Sequence, residues 1–130
     1  MGNSDCVNTG RGRRILLVED HADTALVMSR LLERMGFQIT TADTLQAARA
    51  RARAGEEPFD LLICDIRLPD GSGLDLMREM QSNGGMKAIA LSGLEADEEA
   101  GKSAEAGFQR HLTKPIDFQT LREVVGEVME

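Results

Sequence analysis

The stretch FDLLICDIRLPDGSG, Phe59 to Gly73, decides how this chain is read. Leu61, Leu62, Ile63 and Cys64 run without interruption into an acid, Asp65. Flanked by Pro58 and by a Pro/Gly-rich segment, such a run predicts a strand buried on both faces. In open α/β sheets, ligands bind beyond the carboxyl ends of the strands. Asp65 stands at such an end, so the question is what else the chain brings there.

Upstream, Arg14 to Val18 (RILLV) repeats the pattern, a short apolar run closing on Glu19 and Asp20. Ala25, Met28, Leu32 and Met35 then recur at spacings of three and four, predicting a helix with one apolar face that stops at Gly36. Phe37 to Thr41 (FQITT) alternates and is rich in β-formers, predicting a half-exposed strand near a sheet edge. Thr44 to Ala54 is rich in Ala and Arg and predicts a helix ending at Gly55. Residues 1 to 13 lack periodicity and read as a flexible leader or the tail of a linker, leaving 14–130 as the folded domain.

Downstream of Asp65, Pro69, Gly71 and Gly73 form a turn-like segment before Leu74, Met77 and Met80 resume helical spacing. Met86 to Leu91 (MKAIAL) is a further strand, closing on Ser92 and Gly93. Leu94 to Ala106 carries Ala96, Ala100 and Ala104 among acids and predicts a weakly anchored helix that is the part expected to move. Phe108 to Leu112 (FQRHL) is the fifth strand, closing on Thr113, Lys114 and Pro115. Asp117 is a candidate N-cap for a last helix whose stripe is Phe118, Leu121, Val125 and Val128.

Strands alternating with helices over short connections imply an α/β fold, a parallel five-stranded sheet covered on both faces by right-handed crossovers. In such a sheet the strands' carboxyl ends share one edge. Glu19, Asp20, Asp65, Ser92 and Lys114 are thereby drawn together from distant parts of the sequence. Three converging carboxylates repel one another, and without compensation at least one takes up a proton. Two compensations are at hand, a hard divalent cation such as Mg2+ and the Lys114 ammonium. A solvated loop acid is an adequate reading for any one of these acids taken alone. It does not account for acids, a hydroxyl and a lysine all placed at strand ends.

Composition narrows the function. A net charge of −7 disfavours direct binding of nucleic acid or anionic lipid, and aromatic residues at 3%, with neither Trp nor Tyr, leave no base-stacking platform. No run of roughly 18 apolar residues predicts a membrane span. The two cysteines, Cys6 and Cys64, make neither a disulfide framework nor a zinc site. Together these features place the chain in the cytoplasm with one reduced core thiol.

With these residues in view, the chain resembles the receiver domains of two-component response regulators over residues 14 to 129. The resemblance rests on VED at Val18 to Asp20, CDIRLPDGSG at Cys64 to Gly73, LSG at Leu91 to Gly93 and TKP at Thr113 to Pro115. It implies a flavodoxin-like (βα)5 three-layer sandwich with strand order 2-1-3-4-5. It also implies that Asp65 is the phosphoacceptor, attacking a phosphohistidine on a histidine kinase or histidine phosphotransfer protein. Asp20 would ligate Mg2+ directly, Glu19 through water, Asp65 with its carboxylate and Arg67 with its backbone carbonyl. Lys114 would share the phosphoryl charge, and the Lys114–Pro115 peptide would be cis.

Ser92 corresponds to the hydroxyl switch of that family, although a hydroxyl at a strand end also serves as a helix N-cap. His111 stands where many members carry a Tyr or Phe rotamer switch. With only His21 beside it in composition, it reads as a half-buried histidine more readily than as a metal ligand. The downstream partner is expected on the face formed by the fourth helix, fifth strand and fifth helix. The isolated domain is expected not to be an enzyme beyond catalysing its own phosphotransfer and autodephosphorylation. It is expected to be either a single-domain regulator or a receiver from a hybrid sensor histidine kinase. Two alternatives stay open: a phosphorylation-independent binding module of the same fold, and an aspartyl-phosphate phosphatase. The best-known family of such phosphatases wants a second Asp where Arg67 stands.

Overall fold

The structure is a computed structural model that describes residues 13–54, 59–81, 86–93, 102 and 104–129. Five parallel strands, β1 (Arg14–Val18), β2 (Gln38–Ala42), β3 (Leu61–Asp65), β4 (Lys87–Ser92) and β5 (Arg110–Thr113), form one sheet. Their order is β2-β1-β3-β4-β5, the flavodoxin-like arrangement expected from the sequence. Helices α1 (Ala22–Arg34), α2 (Leu45–Ala54), α3 (Gly73–Gln81) and α4 (Phe118–Met129) cover it.

Alternation along the strands sends side chains to two separate cores. Leu16, Val18, Leu62, Cys64, Ala88 and Ala90 pack with Ala48 of α2 and with Leu74, Leu76 and Met77 of α3. Ile15, Leu17, Leu61, Ile63, Ile89 and Leu91 pack on the other face with Met28 and Leu32 of α1 and Leu121, Val124 and Val125 of α4. Strand β3, central to the sheet, is buried at every position, as its unbroken apolar run requires. The edge strand β2 is half-exposed, as its alternation predicts.

Several boundaries differ from the sequence reading. Strand β2 begins at Gln38 because Phe37 still belongs to the end of α1, its N–H donating to the Leu32 carbonyl at 3.2 Å while its ring is buried. Strand β5 begins at Arg110, and Phe108 is a buried plug ahead of it. In both places an apolar residue meets its burial from a loop at the amino edge of the sheet. Phe118 lies 41% exposed in the first turn of α4, outside the buried stripe of Leu121, Val124, Val125 and Met129. Most of the helix expected over Leu94 to Ala106 lies outside the described residues, as does Gly55, the expected stop of α2; residues 104–106 are helical.

Other local expectations hold. Gly36, at φ 99°, closes α1 in a conformation suited to glycine. Asp117 caps α4, accepting from Gln119 N–H at 3.3 Å and from Thr120 Oγ1 at 2.8 Å. The Lys114–Pro115 peptide is cis. Among the described residues no helix is long and apolar enough to cross a membrane.

Candidate functional site

The sheet register makes the site. Val18 lies beside both Cys64 and Ala42, so the residues that follow, Glu19 and Asp65, leave β1 and β3 at the same level. Asp65 pairs with Leu91, and Ser92 with Thr113, which brings the ends of β4 and β5 to that edge. Backbone bonds fix the exits: Glu19 N–H donates to the Ala42 carbonyl at 2.9 Å, Ile66 N–H to Leu91 at 2.9 Å, and Lys114 N–H to Ser92 at 2.7 Å.

Behind Asp65 the loop folds into a two-residue ribbon that the turn composition did not foretell, Arg67–Leu68 against Gly71–Ser72. Gly73 N–H donates to the Ile66 carbonyl at 2.7 Å. A Cβ on Gly73 would stand 2.3 Å from the Asp65 carbonyl oxygen and 2.8 Å from Cys64 Sγ, so only glycine permits this approach. At the far side, the Asp70 carboxylate accepts from Leu45 N–H at 2.8 Å and Gln46 N–H at 3.0 Å. The loop is thereby pinned across the N-terminus of α2, whose unpaired amides need such an acceptor.

Lys114 Nζ is the hub of the site. It donates to Asp65 Oδ2 at 2.6 Å and to Glu19 Oε2 at 3.1 Å, and it lies 2.8 Å from Glu19 Oε1. The Glu19 side chain is fully enclosed, and Asp65 and Ser92 are also buried. Glu19 Oε2 additionally accepts from the His21 backbone N–H at 3.0 Å, and the His21 ring Nδ1 lies 3.0 Å from the same oxygen and 3.3 Å from Asp20 Oδ1.

Burial, together with the nearby charges of Glu19 and Asp20, pushes the Asp65 carboxyl up to about 6 against the pull of Lys114. Glu19 goes the other way. Burial alone would raise it, but hydrogen bonds from Lys114 and from the His21 backbone and ring together hold it below the usual carboxylate range. Burial likewise disfavours the Lys114 ammonium, yet its bonds to Asp65 and Glu19 keep it above the ordinary lysine value. Glu19 and Lys114 therefore stay ionised, and Asp65 bears the repulsion that convergence of three carboxylates demands. The hydrogen bond to Glu19 and the charge of Asp20 raise His21. The Cys64 thiol, fully buried, is pushed up and is inert as a nucleophile.

These residues suit a hard divalent cation. Glu19, Asp20 and Asp65 supply oxygen ligands, and with His21 their donor atoms all fall within 4.8 Å of one another. Glu19 Oε1 is buried and, although the Lys114 ammonium lies 2.8 Å away, no directed hydrogen bond reaches it, so a lone pair remains for a cation. Three carboxylates against one ammonium leave two negative charges, which a dication balances.

Of the residues anticipated from sequence, Glu19, Asp20, Asp65 and Lys114 come together directly. Ser92 and His111 form a second pair: Ser92 Oγ lies 2.6 Å from His111 Nε2, with the donor set by the imidazole tautomer. His111 is half-buried, and Arg67 is exposed on the ribbon two residues beyond Asp65. His21 was missed, and its only signal was its place directly after Glu19 and Asp20. Beside Lys114 an open depression of about 450 Å³ is lined by His21, Val27, Pro115, Ile116 and Phe118, giving the cluster access to the surface.

Known proteins resemble this chain in sequence and fold. The family model of the response regulator receiver domain matches residues 15–126. The response regulator protein PilR of Pseudomonas aeruginosa is 34% identical over 90% of this chain, which spans 26% of PilR's length. Hybrid signal transduction histidine kinase G of Dictyostelium discoideum is 29% identical over 87% of the chain and 3% of the kinase. The crystal structure of a CheY-like response regulator receiver domain protein from Methanospirillum hungatei superposes with a TM-score of 0.82 at 30% identity, covering 90% of this chain and 93% of that one. A doubly covered parallel sheet of this order, its carboxyl edge furnished with paired acids, a buried aspartate and a lysine that bridges them, places this chain in the response regulator receiver family of two-component signalling.

Proposed function

We propose that this chain accepts a phosphoryl group on Asp65 from a phosphohistidine of a histidine kinase or histidine phosphotransfer protein, and signals through the resulting change in conformation. An Asp65 carboxylate oxygen attacks phosphorus, the phosphorus–nitrogen bond breaks, and its electron pair returns to the donor imidazole. The observation that carries this reading is Lys114 Nζ, held 2.6 Å from Asp65 Oδ2 and 2.8 Å from Glu19 Oε1. An ammonium so placed is ready to meet the charge on a phosphoryl oxygen without reorganisation.

Glu19, Asp20 and Asp65, with the Arg67 backbone carbonyl, would hold Mg2+. That ion, when bound, neutralises charge on the phosphoryl oxygens. Ser92 would donate its hydroxyl to a phosphoryl oxygen, and His111, hydrogen-bonded to it, would follow. The new charge biases an existing two-state equilibrium, altering the face that includes β5 and α4, where a downstream protein docks. Residues 14–130 act as the receiver unit, with 1–13 as a leader, in the cytoplasm. The unit works alone or within a hybrid histidine kinase and is no enzyme beyond its own phosphorylation and dephosphorylation.

Incubation with a labelled phosphodonor and Mg2+ tests this. The parent chain should take up one acid-stable, alkali-labile phosphate, and Asp65→Asn should take up none. Equal labelling of the variant would refute the assignment of Asp65. Sustained hydrolysis of many equivalents would favour a phosphatase. An amide spectrum unmoved by Mg2+ with beryllofluoride would favour a phosphorylation-independent module.

A further inference from the structure

We infer that His21 is a metal-selectivity residue: its Nδ1 joins the carboxylates as a ligand, tilting the site from Mg2+ toward a nitrogen-accepting later transition dication such as Co2+ or Ni2+. This rests on the reading of Glu19, Asp20 and Asp65 as a cation site. His21 occupies the N-cap of α1, with φ −88° and ψ 110°, yet its side chain makes no capping bond. Ser, Thr, Asp or Asn would satisfy an orphan amide there, and histidine forgoes that stabilisation. The imidazole turns back to the acids instead, although its side chain is 68% exposed and has solvent available to it.

Where Nδ1 comes to rest is informative. It lies 3.0 Å from Glu19 Oε2 and 3.3 Å from Asp20 Oδ1. Adjacent corners of an octahedron with bonds of about 2.1 Å are about 3.0 Å apart, and opposite corners about 4.2 Å. The Nδ1 separations of 3.0 and 3.3 Å are close to that of adjacent corners, and the four donor atoms lie within 4.8 Å of one another, so a small contraction brings the set to octahedral spacing. Two constraints hold the ring near this point: the His21 backbone N–H is bonded to Glu19 Oε2, and the His21 carbonyl accepts from Ala25 N–H at 2.9 Å. Mg2+ gains little from an imidazole, whereas later first-row dications favour one increasingly along the Irving–Williams order. A purely electrostatic role, in which the ring only screens the acids, predicts no such preference.

Calorimetric titration of the full chain with Mg2+ and with Co2+ separates these roles, using the parent, His21→Ala and Asp20→Asn. His21→Ala should lose about tenfold or more in Co2+ affinity and less than about twofold in Mg2+ affinity. Asp20→Asn should weaken both. In proton NMR of the Co2+-loaded parent, imidazole ring resonances should appear far outside the diamagnetic range and vanish in His21→Ala. If both metals bind the parent but the Co2+/Mg2+ ratio is unchanged in His21→Ala, or no shifted ring resonance appears, the role of His21 is refuted while the carboxylate site stands. If neither metal binds the parent, the carboxylate site fails and this inference with it.

Discussion

Replacing Asp65 with Asn should stabilise the metal-free protein at neutral pH, even as it removes the proposed phosphoacceptor. The Asp65 carboxyl is raised from an ordinary 3.8 to about 6, chiefly by burial and secondarily by its acidic neighbours. That gap of about two units, at 1.36 kcal/mol each, corresponds to about 3 kcal/mol. A carboxyl whose folded value is raised keeps its proton longer in the folded than in the unfolded chain. Below about pH 4 both states hold the proton, and the residue costs nothing. Between about pH 4 and 6 the unfolded chain ionises first, so stability falls as pH rises; above that window the whole cost is present. Asparagine mimics the neutral acid and carries no such cost. Lys114 keeps a partner in the variant, since Glu19 Oε1 stays 2.8 Å from it. The variant should therefore match the parent near pH 4 and exceed it by up to about 3 kcal/mol at pH 8. Urea unfolding in a chelator, followed by far-ultraviolet circular dichroism because the chain has neither Trp nor Tyr, measures the difference. A variant less stable than the parent at pH 8, or a gap that does not change with pH, would refute the reasoning.

Lys114→Met leaves Glu19 and Asp65 facing each other without a cation, and at pH 8 should cost about 3–5 kcal/mol in the same assay, with the loss shrinking toward pH 5 as the acids take up protons. Mg2+ at ten times its dissociation constant should stabilise the parent by about 1.4 kcal/mol and Asp20→Asn far less; equal shifts in melting temperature would place the ion elsewhere. Gly73→Ala drives a methyl into the Asp65 carbonyl and should cost about 2 kcal/mol while slowing phosphorylation, as urea midpoints and labelling rates would show. Gly126→Ala, in the interior of α4 with nothing within 4 Å of the added methyl, should instead raise stability by about 0.5–1 kcal/mol.

Most of the sheet was legible because each strand is a short apolar run ended by polar residues, and because strict alternation with helices admits few topologies. The convergence of Glu19, Asp65 and Lys114 followed from that topology alone. What stayed hidden depends on register and on loop geometry. His111 lies beside Ala90, and Ser92 is two residues along the same face of β4. Their 2.6 Å bond exists only because β4 and β5 pair in that register, which no local pattern encodes. Phe37 and Phe108 drew strand boundaries too early, since burial of a ring is the same signal whether a strand or the loop before it supplies the residue. His21 was invisible for a related reason. At the start of a helix it looks like an indifferent cap, and only its backbone bond to Glu19 reveals which way the ring must turn.

The energetics of Asp65 and the rigidity of its strand belong to one argument. A carboxylate at this point is opposed by burial and by two neighbouring acids, so left to itself the chain would move it into water. It cannot, because Leu61, Leu62, Ile63 and Cys64 are wholly buried and Gly73 closes the loop directly against the Asp65 carbonyl. Burial of one such aliphatic side chain contributes roughly 1.5–3 kcal/mol, so the strand outweighs the cost at its own tip. The strain is thus confined to one side chain and is relieved by added positive charge, or by converting the carboxylate to an acyl phosphate. On the proposed reading, phosphorylation of Asp65 would remove the charge from the buried oxygen and move it outward, toward the Lys114 ammonium and the surface depression beside it. On the proposed reading, such a site would favour reaction at Asp65 over its better-solvated neighbour Asp20, so the buried acid, and not the exposed one, is the residue to test first.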